Sequence, residues 1–314
     1  MNPNIMNSSC GNESVPSILV AGDVRFSNVI LFLCIVNTLT AFVTTVGNFF
    51  VAIAIWRAPN LHRPSFVLIF GLVLSDLAVG LISQPLFVAN NLADFYKNCN
   101  LFSVSYRVSE YFANQLLGVT GLTLSATAID RFLALKIHLR YQELVTVRKT
   151  LLCLLFMWIT ATFYAAWKIA HRSSAEIGGV MWCLWFSITI VTCYLKIFQI
   201  VRHHQTQIEN QTPQLGVQRT VPNLARYRRS VRTMLYIVGL FCLSCLSWVV
   251  LGIIKHAIYK GSTVETVLAA RISFTVSCLN SCLNPFLYCW RMEEIRQAVK
   301  EQFKKLCQWE RGCN

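Results

Sequence analysis

Charge is scarce in this sequence. Asp, Glu, Lys and Arg supply 13% of its 314 residues, about half the share of a typical soluble domain. So few charges cannot keep a chain that is 55% hydrophobic in water, which argues against a soluble globule. Its 14 Gly and 8 Pro are too few for a collagen-like chain, and 13 Cys spread over this length do not make a small disulfide scaffold. A mean hydropathy of +0.50 excludes intrinsic disorder. Residues 1–26 are polar and lack an apolar h-region, so no cleavable signal peptide is expected and the first apolar run has to direct insertion. The apolar runs hold no His-Glu-x-x-His and no convincing paired Asp or Ser/His arrangement, which argues against an intramembrane enzyme.

The sequence does contain seven long apolar windows. A hydrocarbon core about 30 Å thick takes about 20 residues of helix to cross. Windows 29–56, 150–167, 177–195, 233–254 and 272–290 contain no Asp, Glu, Lys or Arg; 65–93 contains only Asp76 and 108–129 only Glu110. Backbone groups in lipid must bond within their own segment, so each window is helical. The expected fold is an all-α membrane protein, a seven-transmembrane helix bundle. Of the 28 Lys and Arg residues, 20 flank the windows on the C-terminal side of the membrane and 8 on the other. Cytoplasmic loops carry that excess, so the chain is expected to be multi-pass in the plasma membrane, N-terminus extracellular and C-terminus cytoplasmic.

Four parts follow. Residues 1–26 form an extracellular tail with glycosylation sequons at Asn7 and Asn12, and 27–290 the membrane domain. In 291–307, Met292, Ile295, Val299, Phe303 and Leu306 recur at helical spacing between basic residues, as in an amphipathic helix on the membrane surface. Residues 308–314 are a cytoplasmic tail. The net charge of +14 then reflects topology and attraction to anionic lipids; no motif supports a nucleic-acid partner. A seven-span transporter, channel or lipid scramblase remains the alternative reading, although the inverted repeats that favour one are not found.

Ionisable groups inside a membrane are costly and mark functional sites. Asp76 is the deepest. Asn280, Ser281 and Asn284 follow at helical spacing in the seventh window, and Thr120 lies midway along the third. The set suits a small hard cation; the alternative is a protonated Asp76 hydrogen-bonded in a bundle core. Pro285 sits mid-helix, where it frees a carbonyl and creates a hinge. Asp130-Arg131-Phe132 ends the third window. Glu110, Asn114, Leu117, Gly121, Leu124, Ala128 and Arg131 share one helical face. Glu110 lies at its outer end, with Arg271 as a candidate counter-ion, and reads either as the anchor of a cationic ligand or as an interhelical salt bridge. Trp182, Trp185, Phe186, Trp248 and Phe274 are the remaining candidate walls of a ligand pocket.

Taken in order, Gly47-Asn48, Leu72-x-x-x-Asp76, Asp130-Arg131-Phe132, Trp158, Tyr194 and Asn284-Pro285-x-x-Tyr288 resemble the rhodopsin-like (class A) G-protein-coupled receptors over residues 27–307. The resemblance implies a receptor for an extracellular ligand that activates a heterotrimeric G protein. Arg131 and Phe132 would form the coupling end, with Tyr194 and Tyr288 closing beside Arg131 as the sixth helix swings out. It also implies arrestin and receptor-kinase partners, a sodium ion held by Asp76 with Asn48 nearby, and palmitate on Cys307. No other cofactor is expected. No Asp or Glu occurs between Glu209 and Glu265, so the restraint that many relatives place on this Arg from the sixth helix is missing, and agonist-independent activity is expected.

The sequence departs from the family in several places. The usual disulfide position at the top of the third span is Tyr106, and no Cys lies between Lys168 and Glu176. Cys10 and Cys99 are the external thiols left for a different bond. Phe186 stands where the fifth span usually has proline. The sixth-span pattern Phe-x-x-Cys-Trp-x-Pro becomes Phe241-Cys242-Leu243-Ser244-Cys245-Leu246-Ser247, without its Trp and Pro. Ala113 replaces the carboxylate of amine receptors, and 272–290 has no Lys for retinal, so an opsin is excluded. A very short second outer loop, the missing third-span disulfide and the missing fifth-span proline are similar to the melanocortin, cannabinoid and lysolipid receptors, and the stretch from Asp130 to Tyr141 is similar to adenosine receptors.

Overall fold

The computed structural model describes residues 24–137, 140–211, 222–254 and 263–312. All seven windows lie in helices: α1 (Val24–Arg57), α2 (Pro64–Phe95), α3 (Cys99–Lys136), α4 (Val147–Ala170), α5 (Arg172–Gln211), α6 (Pro222–Ile253) and α7 (Val264–Arg291). Among the described residues six helices are long and apolar enough to cross a membrane, and α6 carries the charge-free window 233–254 after a basic first part. The helices overrun the windows because lack of charge marks the lipid-facing length, whereas backbone hydrogen bonding continues into the polar flank.

α3 stands at the centre, against α2, α4 and α5 and more lightly against α6; α7 closes the ring between α6 and α1. Polar groups are buried within an apolar core, and large apolar side chains cover the outside of the bundle. Asn37, Asn48, Asp76, Gln84 and Asn284 are buried, while Phe32, Phe42, Phe163 and Phe198 face outward, toward where lipid would lie. α2 carries a π-helical turn, Val79–Ser83, just before Pro85. A Cβ on Gly80 would meet Thr45 Oγ1 at 2.6 Å and the Ala41 carbonyl at 3.1 Å, so glycine lets the bulge pack onto α1.

The ends are shaped by local chemistry. α2 closes in a Schellman turn: Asn98 N–H reaches Ala93 O (2.9 Å) and Lys97 N–H reaches Asp94 O (3.1 Å), with Lys97 left-handed at φ 55°. Asn98 then caps α3 by accepting from Leu101 N–H at 3.1 Å. Only His171 separates α4 from α5. The surface helix, α8 (Glu293–Gly312), starts later and runs further than its sequence boundaries. Met292, before it, and Ile295 on it are buried, and Phe303 stacks on Phe50 of α1 at 4.6 Å. The side chains of Leu306 and Cys307, together with Asn7, Cys10 and Asn12, lie outside the described residues.

Candidate functional site

Three sites lie along the bundle axis. The middle one is built on Asp76, fully buried on α2. Asn284 Nδ2 donates to Asp76 Oδ2 at 2.7 Å, and Ser281 lies beside the same carboxylate. Asn48 Nδ2 donates to the Ser281 carbonyl at 3.2 Å; Thr120 on α3 pairs with Ser75 at 3.3 Å. The Oδ1 atoms of Asp76, Asn48, Asn280 and Asn284 are buried without a hydrogen-bond donor. That surplus of oxygen acceptors is the donor chemistry a hard cation takes. The structure thus brings all six expected core residues to one level of the bundle.

At the end of α3, Asp130 is buried. It accepts hydrogen bonds from Ser65 Oγ at 2.7 Å and from the Tyr141 hydroxyl, which lies on the one-turn helix Tyr141–Leu144. Burial, and next the bond to Asp130, push the Tyr141 hydroxyl up to about 12, so it remains a donor at any physiological pH. Arg131 acts electrostatically on the same phenol. The Phe132 ring lies 5.7 Å from Lys136 Nζ and 5.8 Å from Lys196 Nζ. Tyr194 on α5 and Tyr288 on α7, one turn past Pro285, are buried, and the Tyr288 hydroxyl has no hydrogen-bond partner among the described residues.

At the other end is a cavity of about 350 Å³, within the range of small-molecule sites. Glu110, Ala113, Asn114 and Leu117 of α3, Trp248 of α6, and Arg271 and Phe274 of α7 line it, and its floor reaches Thr120, Asn280 and Ser281. Phe274 stacks on Phe87 at 4.4 Å, and Trp248 Nε1–H donates to Ser277 Oγ at 3.1 Å.

Two expectations are corrected here. Arg271 pairs with Asp94 of α2: Nη2 donates to Oδ2 at 2.5 Å, both side chains buried. The sequence reading had offered Glu110 as its partner. Asp94 lies one residue beyond the apolar window 65–93, whereas the helix continues past it. Three of the expected aromatic walls are absent from the cavity lining. Trp185 faces outward, 54% exposed. Trp182 packs on Tyr164, ring centroids 3.9 Å apart. Phe186 is buried one turn deeper, against Gly121, where a Cβ would come within 2.3 Å of its ring. The cavity meets α5 instead at Gly179, Val180 and Cys183. Lys168, in the last turn of α4, donates from Nζ to Asn114 Oδ1 at 2.6 Å.

A polar core between an outer cavity and an Asp-Arg end is the arrangement that the sequence landmarks imply. The family model for the 7 transmembrane receptor (rhodopsin family) matches residues 47–187 and 177–288. The chain belongs to that family. It is therefore a multi-pass membrane receptor of class A and not an enzyme. Adenosine receptor A3 of Canis lupus familiaris is 24% identical over 304 residues, covering 87% of this chain and 91% of that receptor. Adenosine receptor A2a of the same species is 26% identical, covering 83% and 69% respectively. G-protein coupled receptor 12 of Rattus norvegicus is 26% identical, covering 80% and 75%. Of the branches suggested by the sequence, the adenosine receptors are the relatives these matches support. Cys99 is disulfide-bonded; Cys10 lies outside the described residues.

Proposed function

We infer that this receptor binds a small extracellular ligand in the cavity at the Glu110–Arg271 end and activates a heterotrimeric G protein at the Arg131 end. The observation that carries this reading is the connection between the two. The cavity floor reaches Asn280 and Ser281, which adjoin the Asp76–Asn284 bond, and Pro285 and Tyr288 continue from there along α7. A ligand that favours one arrangement of this column shifts a two-state population, with α6 swinging outward from Arg131. Asp130 is also claimed by Ser65 and Tyr141 and α6 offers no acid to Arg131, so agonist-free signalling belongs to the proposal.

The same reading places the receptor in the plasma membrane with Asn7 and Asn12 glycosylated outside, Cys10 bonded to Cys99, Cys307 palmitoylated, sodium at Asp76, and arrestin and a receptor kinase as further partners. Adenosine, named by the relatives, is the first ligand to try. The test is agonist-free G-protein activation across a panel of G-protein subtypes, comparing the natural chain with Arg131→Ala at matched surface expression. A basal signal abolished by the substitution is expected. Signal no higher than in untransfected cells, with and without adenosine, would overturn the agonist-free part; a signal that survives Arg131→Ala would overturn the coupling site.

A further inference from the structure

The seam between α5 and α6 has a readable register. Val180 faces Gly252, where a Cβ would come within 2.8 Å of Val180 Cγ2. One turn deeper the Cys183 and Cys245 side chains meet. Below them Phe186 and Phe241 lie 6.4 Å apart, centroid to centroid, and Ser187 contacts Cys242. The helices run antiparallel, so a turn forward on α5 is a step back on α6, and the pairs Val180–Gly252, Cys183–Cys245 and Phe186–Phe241 keep that order. The two thiols are thus held opposite one another by tight packing above and ring packing below.

Cys245 stands where the sixth-span pattern has its Trp, and a thiol there leaves room for a side chain from α5. Both cysteines are reduced in the structure and buried, but they are not sealed off. Cys183 lines the 350 Å³ cavity together with Val180, Phe241, Ser244 and Gly252, so a small polar molecule entering the cavity reaches the pair. Burial alone makes most cysteines inert. A route for oxidant distinguishes this pair from Cys34, and a second thiol facing it across two helices distinguishes it from Cys278, which lines the same cavity.

We propose that Cys183 and Cys245 form an oxidisable dithiol that takes a two-electron oxidant of the peroxide class and staples α5 to α6. One sulfur attacks a peroxide oxygen, breaking the O–O bond and giving a sulfenic acid and water. The second sulfur attacks that sulfenic sulfur, the S–S bond forms, and the hydroxyl leaves as a second water with the remaining thiol proton. Two electrons pass from the sulfur pair to the peroxide. The bond fixes the spacing of α5 and α6 midway along the seam, so α6 loses freedom to swing. The effect on signalling rests on the function proposed above; the bond itself does not.

Full-length receptor in membranes is exposed to hydrogen peroxide, its remaining thiols are blocked, and it is digested without reductant for mass mapping; the Cys99 disulfide is the internal control for recovery. A linked Cys183–Cys245 peptide pair is expected to accumulate with dose. G-protein activation should fall several-fold, and the fall should be absent in Cys245→Ser and in Cys183→Ser, either of which serves if the other reaches the surface poorly. Failure of the linked pair to form in folded receptor overturns the proposal. A linked pair with undiminished signalling, or an equal fall in both variants, overturns the staple. If untreated receptor activates no G protein, the functional reading fails while the peptide map still decides the dithiol.

Discussion

The two sides of the bundle are held together by different chemistry. On the α1–α2–α7 side, helices are tied by directed polar bonds: Asn37 to Thr275 at 2.9 Å, Gln84 to Thr40 at 2.8 Å, Asn284 to Asp76 at 2.7 Å and Arg271 to Asp94 at 2.5 Å. The α5–α6 seam is built from rings, thiols and a glycine contact. In a membrane no hydrophobic drive holds helices together, so polar bonds and close packing do that work. A side fixed by hydrogen bonds resists sliding, whereas a side of smooth apolar contacts gives way at lower cost. The bundle thus has a rigid side and a yielding one, and substitutions on each should show it.

The largest effect is expected on the rigid side. Arg271→Ala leaves Asp94 buried beside α7 without its guanidinium, and breaking a buried pair costs about 3–5 kcal/mol. Poor surface expression and a large fall in thermal midpoint should result. Replacing both partners, Arg271→Leu with Asp94→Leu, should recover most of the loss, because no lone charge is left behind. A double variant as unstable as the single one would mean that the pair is not the main tie at that end.

Packing of α5 on α3 comes next. Gly121→Ala puts a methyl within 2.3 Å of the Phe186 ring, an overpacking worth about 1–3 kcal/mol. Phe186→Leu in the same chain should restore the midpoint. No restoration would mean that the strain comes from elsewhere on α3.

How far the sequence led depended on what each residue reports. Seven spans were legible because lipid leaves a one-dimensional record, the absence of charge. The Asp76 cluster was legible because polar residues in such runs are costly and therefore informative. The Asp94–Arg271 pair was not, since the apolar window ended at residue 93 while the helix ended two residues later. Trp185 was misread because an aromatic facing lipid and one facing a cavity look alike in composition; the structure decides between them by rotation about the helix. The π turn of α2 and the meeting of Cys183 with Cys245 depend on backbone phase and on a second helix, neither of which one sequence states.

A smaller effect is expected where α3 meets the loop helix. Tyr141→Phe removes a hydrogen bond to a buried carboxylate, which is worth about 1.5–3 kcal/mol at full burial and less here, where the phenol is only half-buried. Agonist-free signalling should fall, because Asp130 loses a competitor and holds Arg131 more firmly. The pH dependence has a definite sign. A phenol raised to about 12 in the folded state contributes stability that is complete below its unfolded value of about 10 and fades only as pH climbs through about 12. Signalling by the natural chain and by Tyr141→Phe should therefore keep a constant ratio between pH 6 and pH 9. A ratio that drifts across that range would remove Tyr141 as the donor.

The smallest change in stability should come from Trp248→Phe, which deletes the bond from Nε1–H to Ser277 across α6 and α7. Interhelical hydrogen bonds in membranes average about 0.6 kcal/mol, so the thermal midpoint should hardly move. Function should respond more. Trp248 lies on the yielding side's border with the rigid one and in the cavity wall, so losing its bond frees α6 from its fixed neighbour without disturbing the fixed neighbour itself. Agonist-free activation should rise while the midpoint stays. If the midpoint instead falls as far as for Arg271→Ala, α6 is as firmly tied as α1, α2 and α7, and the division of the bundle into a rigid and a yielding side is wrong.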